Sequence, residues 1–254
     1  MHRLPETDAR RGNAMAVALL SASTACGTAF AGPFEVGDTD TEDGWSLEVE
    51  SVRVRSGDHV SRTHPAIGLT WGFGERFELS LGSGYGISAF DKGQRRHGAH
   101  DLELAFKWAL REASDAAMGI AIEPGVSLPT GDRDAGLSED EAVLDVPVRF
   151  SRTVGQGSWT GQAAWSRAMR SHETAWSVGV SYERPLTRTL TLGAEAIHEQ
   201  VADDAASALQ RGNLGVSWTP HHQWEVSGRV GRSWRHAAGE RQTSFRFGIE
   251  YRFD

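Results

Sequence analysis

Cysteine is all but missing from this chain: the only one, Cys26, stands near the N-terminus. That excludes a disulfide framework and a cysteine-based metal site in the rest of the protein. Long apolar runs are missing as well. Hydrophobic residues make up 39% of the 254 positions and mean hydropathy is -0.41. No stretch approaches the roughly 20 apolar residues of a membrane helix. A helical membrane protein is therefore excluded, whereas a β-barrel is not, because its strands alternate and never look strongly hydrophobic. There is no basic tract and the formal charge is -8, so no nucleic-acid partner is expected. No cofactor is expected either.

What the chain does have is 29 Gly and 9 Trp. Glycine serves where strands twist and crowd, and tryptophan favours the membrane interface, where its ring sits among headgroups and its N–H stays wet.

The N-terminus has the anatomy of an export signal. Arg3, Arg10 and Arg11 are basic, Ala14 to Ala25 is small and apolar, and Ala29-Phe30-Ala31 fits a small-x-small cleavage site. Residues 1–31 are expected to be a signal peptide, with Gly32 opening the mature chain and Met15 an alternative start. A lipoprotein cut before Cys26 would place Ser23 where leucine is preferred. Residues 32–44, GPFEVGDTDTEDG, are expected to be a flexible periplasmic segment, and 45–254 the folded domain.

From Trp45 onward the period of hydrophobicity is two. Leu102, Leu104, Phe106 and Trp108 oppose Asp101, Glu103, Ala105 and Lys107. Phe245, Phe247, Ile249, Tyr251 and Phe253 oppose Ser244, Arg246, Gly248, Glu250 and Arg252. Similar alternation recurs over 77–85, 118–128, 144–151, 176–183, 213–218 and 224–231, and more weakly over 45–54, 63–73, 158–168 and 190–199. About twelve strands of roughly ten residues result, the length a tilted membrane strand needs.

The faces of these strands separate a soluble sandwich from a barrel. The minor face mixes Gly, Ala and Ser with charges, while Trp108, Tyr182, Trp218, Trp224, Tyr251 and Phe253 end strands on the major face. Aromatics at strand tips fit interfacial girdles. Odd connections (55–62, 87–99, 129–143, 169–173, 200–209, 235–243) are mostly longer than even ones (74–76, 111–116, 155–157, 184–189, 219–223), as long outer loops and short periplasmic turns require. Hydrocarbon offers no hydrogen bonds, so the sheet must close. The expectation is an all-β, antiparallel transmembrane barrel of about 12 strands in the bacterial outer membrane, in contact with its lipid.

The segments Thr70–Tyr85 (TWGFGERFELSLGSGY), His100–Lys107 (HDLELAFK) and Ser127–Gly131 (SLPTG) resemble the meta-pathway phenol-degradation family of outer-membrane proteins. His100 departs from the glycine expected before the aspartate. The resemblance implies a transporter-like barrel that moves aromatic or other hydrophobic compounds. The last strand, Arg246 to Phe253, is similar to the signal read by the barrel-assembly machinery, with Asp254 following the usual terminal aromatic.

The lumen face is expected to carry Glu78, Asp101, Glu103, Lys107, Glu123, Asp145, Arg149, Glu195, Glu225, Arg229, Arg246, Glu250 and Arg252. These either form a charged constriction that orients a small-molecule solute or a salt-bridge network that stiffens a narrow barrel. Asp132, Asp134, Glu139, Asp140 and Glu141 only partly imitate a calcium loop and read as a solvated acidic loop. His221-His222 has no third ligand nearby and reads as a turn. The only His-x-Ser, His59-Val60-Ser61, is expected in the first outer loop, away from the strand face where a lipid hydrolase would need it. No catalytic residue is assigned. The chain is read as a pore or transporter, not an enzyme, with a structural or adhesive barrel as the first alternative and an outer-membrane lipid hydrolase as the second. On this register Leu104→Arg or Val180→Arg should block assembly, while Glu103→Gln or Ser181→Asn should be tolerated.

Overall fold

The structure, a computed structural model, describes residues 32–57, 59–89, 95–114, 116–202, 208–235 and 241–253. The expected signal peptide lies outside the described residues. The strands are β1 (Gly44–Ser56), β2 (His59–Phe73), β3 (Phe77–Ala89), β4 (Arg95–Ala99), β5 (Leu102–Arg111), β6 (Gly119–Ile122), β7 (Gly125–Leu128), β8 (Val143–Val154), β9 (Gly157–Ala168), β10 (Thr174–Pro185), β11 (Leu190–Val201), β12 (Leu209–His221), β13 (Trp224–Arg235) and β14 (Gln242–Arg252). β4 and β5 both pair with β3, and β6 and β7 both lie between β5 and β8. Each couple is one interrupted wall strand. The wall is thus a closed antiparallel barrel of 12 strands, sealed where β1 pairs with β14.

Both interruptions have a local cause. Prolines stand at 124 and 147, next to each other's strand, and proline has no N–H to give a ladder. The register still runs through: Trp108 pairs with Ile122 and Ala105 with Gly125. Between β4 and β5 the register slips. Tyr85 pairs with Ala99 and Gly82 with Glu103, so three residues, 100–102, oppose two, 83–84. This bulge turns both His100 and Asp101 inward, where simple alternation would send one of them out.

Alternation then sorts the side chains. Leu79, Leu104 and Leu214 are exposed on the outer face, and their sequence neighbours are buried in the interior. Aromatics gather at both rims. At the end holding the short turns and the start of β1, Trp45 stacks on Trp71 at 5.5 Å, and Trp159 meets Tyr182 at 4.7 Å. Trp224 and Tyr251 are 4.8 Å apart there. At the opposite, loop end, Trp176 meets His198 at 4.9 Å.

Three expectations about connections are corrected. The first connection is only 57–58, not 55–62, because Arg53 pairs with Arg62 and Val54 with Ser61 above the apolar belt. A backbone ladder needs no apolar alternation to continue, so these polar residues concealed it. β3 and β4 likewise extend into the expected 87–99 loop. β12 runs on to His221, which pairs with Trp224, so that turn is 222–223.

The largest correction is at the N-terminal side. Residues 32–43 are not a free periplasmic segment; they run inside the barrel, with Phe34 at 6% exposure, Val36 at 4% and Thr39 at 0%.

Candidate functional site

Among the described residues the strand alternation encloses one polar surface, the interior, and it is the candidate site. Glu78, Asp101, Glu103, Lys107, Glu123, Asp145, Arg149, Glu195, Arg229, Arg246 and Glu250 are all buried there. Sequence reasoning omitted Glu48, Glu50, Glu199 and Arg211, which are buried on the same face. The alternation of Leu47 and Val49 with Glu48 and Glu50 could have found the first two. Glu199 and Arg211 sit near strand ends, where the apolar partner residues run out.

Most of these charges are paired. Lys107 lies 3.9 Å from Glu78 across β3 and β5. Arg149 pairs with Glu123 and its Nε donates to Gln162 at 3.1 Å. Arg211 donates to Glu199 at 2.7 Å, and Arg229 to Glu195 at 3.3 Å. Arg246 bonds Glu50 and lies 3.5 Å from Glu48. Arg252 donates to Glu250 at 2.8 Å and lies 3.4 Å from Glu225. A buried charge must find such a partner or lose its ionisation.

The N-terminal segment threads through this network as an extra layer. The ring of Phe34 packs over glycines on two adjacent strands: a Cβ on Gly193 would meet it at 2.6 Å, and one on Gly215 at 2.8 Å. The backbone N–H groups of Glu35 and Val36 both donate to Glu195 at 3.0 Å. The Glu35 carboxylate pairs with Arg229 at 2.7 Å and also with Arg211. The chain then crosses the interior to β5, where the Lys107 ammonium donates to the Asp40 carbonyl at 2.6 Å and lies 3.6 Å from Asp38. The Glu42 N–H donates to Glu78 at 2.9 Å, and its carboxylate lies 3.4 Å from Arg252. The acidic composition of 32–43, which suggested a solvated tail, instead matches the inward arginines and Lys107.

Toward the loop end the pairing changes character. Asp101 accepts from the Gly131 N–H at 2.8 Å, the Ser138 hydroxyl at 2.6 Å and the Glu139 N–H at 2.7 Å. These bonds draw the 129–142 connection over the mouth, with Ala135 and Leu137 buried. The expected acidic loop is therefore docked, not free. Burial, helped by the charges of Asp101, Asp140 and Glu141, pushes the Glu139 carboxyl up to about 7. Glu141 accepts from the Ser171 N–H at 2.8 Å and so ties this loop to the 169–173 connection. Among the described residues, no three His, Asp or Glu side chains converge as metal ligands.

His59 and Ser61 lie on β2, not in a loop. The His59 Nε2 is 3.0 Å from the hydroxyl of Ser88, a buried residue of the inner face of β3. The pair thus faces the interior and not the apolar outer surface.

A family model described as "Uncharacterised conserved protein UCP029691" matches residues 16–253. No curated protein matches the sequence. Among solved structures, the COG4313 outer membrane channel from Pseudomonas putida F1 is similar at 15% identity, with a TM-score of 0.65 over 85% of this chain and 98% of that one. The NanC porin is similar at 9% identity, TM-score 0.61, over 82% of this chain and 100% of its own. The translocator domain of the autotransporter NalP from Neisseria meningitidis shares 12% identity, TM-score 0.55, over 98% of each chain. At these identities the likeness is one of fold.

Proposed function

The chain belongs to the family described as Uncharacterised conserved protein UCP029691, and from its barrel we propose that it is a pore of the Gram-negative outer membrane that passes small solutes. The observation that carries this reading is the inverted polarity of the wall. Leu214 at 64%, Trp234 at 60% and Phe245 at 53% exposure face outward, while arginine, lysine and glutamate side chains fill the inside. A soluble protein keeps such apolar belts covered, whereas a hydrocarbon environment demands them. The two aromatic rims match the two interfaces of a bilayer. In this orientation the turn end and both ends of the barrel chain face the periplasm, and the loop end faces outward.

The channel and porin that share the fold support a transport role, and no reaction is assigned to the chain. The resemblance to the phenol-degradation family points to aromatic or hydrophobic cargo. The interior favours solutes that carry polar groups, because its wall offers charges, hydroxyls and glycine backbone. Export through the leader and recognition of Arg246 to Phe253 by the barrel-assembly machinery complete the proposal. The inward residues named above would line the path, and residues 32–43 would narrow it on the periplasmic side.

Single-channel recording on refolded protein in planar bilayers tests this. Discrete conductance steps are expected. A folded barrel that conducts nothing, even after residues 32–43 are displaced, would instead support a structural barrel held shut by its own ion pairs.

A further inference from the structure

Two guanidinium groups converge on one carboxylate in the interior. Arg229, on β13, lies 2.7 Å from one oxygen of Glu35, and Arg211, on β12, bonds the other. Both arginines are buried. In the register of the two strands Arg229 stands opposite Gly215 and Arg211 opposite Ser233, with Asn213 and Gly231 paired between them. Only neutral residues of these two strands separate the cations on this face, and the carboxylate bridges them.

Glu35 is the third acid for two bases. Arg211 also donates to Glu199 at 2.7 Å and Arg229 to Glu195 at 3.3 Å, and both of these acids belong to the wall. Departure of Glu35 would leave each arginine with a wall partner, so no buried cation is stranded. The Glu35 side chain is 14% exposed, against 3% for Glu199 and 0% for Glu195. It is therefore the acid of this group that the lumen reaches. The Nε–H of each arginine is buried without a hydrogen-bond partner among the described residues. Such donors are costly to leave unmade. The backbone of Glu35 is tied to Glu195 through two N–H groups at 3.0 Å, a restraint that a free solute does not carry. Arg211 is the third residue of β12, at the loop end of the barrel.

We propose that Arg211 and Arg229 form a binding site for a monocarboxylate solute, which Glu35 fills in the resting barrel and from which the solute displaces it. The proposal rests on the reading of the barrel as a solute pore, which gives the acid its route. An incoming carboxylate has the charge of the one it replaces, and guanidinium forks match its two oxygens. A neutral amide of the same shape lacks that charge and does not compete. The exchange also removes the ion pairs that hold residue 35 to β12 and β13, so the solute loosens the segment that narrows its own path.

The Glu35 side chain ends as a propionate, and propionate is the probe, titrated calorimetrically into the refolded protein in detergent at constant ionic strength. Propionamide is the uncharged control and should not bind. A site that its own carboxylate fills roughly nine-tenths of the time binds a solute about tenfold more weakly than an empty one. Glu35→Gln should therefore bind propionate about tenfold more tightly than the wild-type barrel. Adding Arg229→Gln to that variant should abolish binding. If the double variant fails to fold, the comparison of Glu35→Gln with wild type and with propionamide still decides. Absence of propionate binding to a folded Glu35→Gln barrel would overturn the site, as would equal binding by Glu35→Gln and wild type. Conductance measured in parallel separates the two readings. A barrel that conducts while its Glu35→Gln form does not bind keeps the pore and loses the site; one that binds but does not conduct keeps the site and loses the pore.

Discussion

Leu104 and Glu103 are neighbours in the chain that meet opposite surroundings: Leu104 is 40% exposed on the outer face and Glu103 is 9% exposed on the inner. An arginine at Leu104 or Val180 would sit in the apolar belt, where it costs roughly 2–4 kcal/mol. Assembly of Leu104→Arg should fail while Glu103→Gln still gives a heat-modifiable band on gels; equal behaviour of the two would refute the register. At Ser181 the expectation changes. From the sequence alone Ser181→Asn is expected to be tolerated because the residue faces the lumen, but the side chain is 1% exposed. Ser181→Asn should therefore destabilise by about 1–3 kcal/mol through overpacking, read as a lower unfolding midpoint in urea. Glu139 gives a pH effect. Its carboxyl sits at about 7 in the folded loop, above its ordinary 4.5. A raised acid contributes stability that is whole below its unfolded value and is lost as pH rises through the folded one. Docking of the 129–142 loop should accordingly loosen between about pH 5 and pH 8. Hydrogen exchange in that loop reads this, and Glu139→Gln should remove the dependence.

The wall strands were legible because a strand's side-chain order is written in adjacent residues, and Phe245 to Phe253 shows it without any knowledge of neighbours. The hairpin tips at 53–62 were not legible, since their pairing lies above the apolar belt and leaves no alternation to read. The bulge at His100 and Asp101 was hidden for a related reason: it is an offset between two strands, not a property of either. Of the interior, the inward charges could be read but their partners could not. The segment 32–43 was missed altogether, because its acidic residues are matched by arginines far along the chain, as Glu35 is by Arg211 and Arg229. That segment yields a prediction. The atoms nearest to a Cβ at Gly215 belong to Phe34 and Pro33, both of the inserted segment. Gly215→Val should expel it from the groove and leave the wall intact, raising single-channel conductance. Unchanged conductance in a folded Gly215→Val barrel would mean that the segment does not narrow the path.

At the scale of the whole molecule, the ring is joined by the two ends of the barrel chain, and the joint is electrically uneven. Glu48 and Glu50 lie on the first strand, and Arg246, which both approach, lies on the last. Arg246→Gln should therefore slow refolding more than a substitution at an exposed loop position, as measured by the rate at which the heat-modifiable form appears. Until the final strand arrives, the open edge of β1 carries two inward carboxylates without their cation. A second copy offering its own β1 would set glutamate against glutamate, the kind of inward charge that keeps sheet edges from joining wrongly. The last strand supplies the answering positive charge, so β1 meets opposite charge in β14 and like charge in another β1: the seam is read by sign.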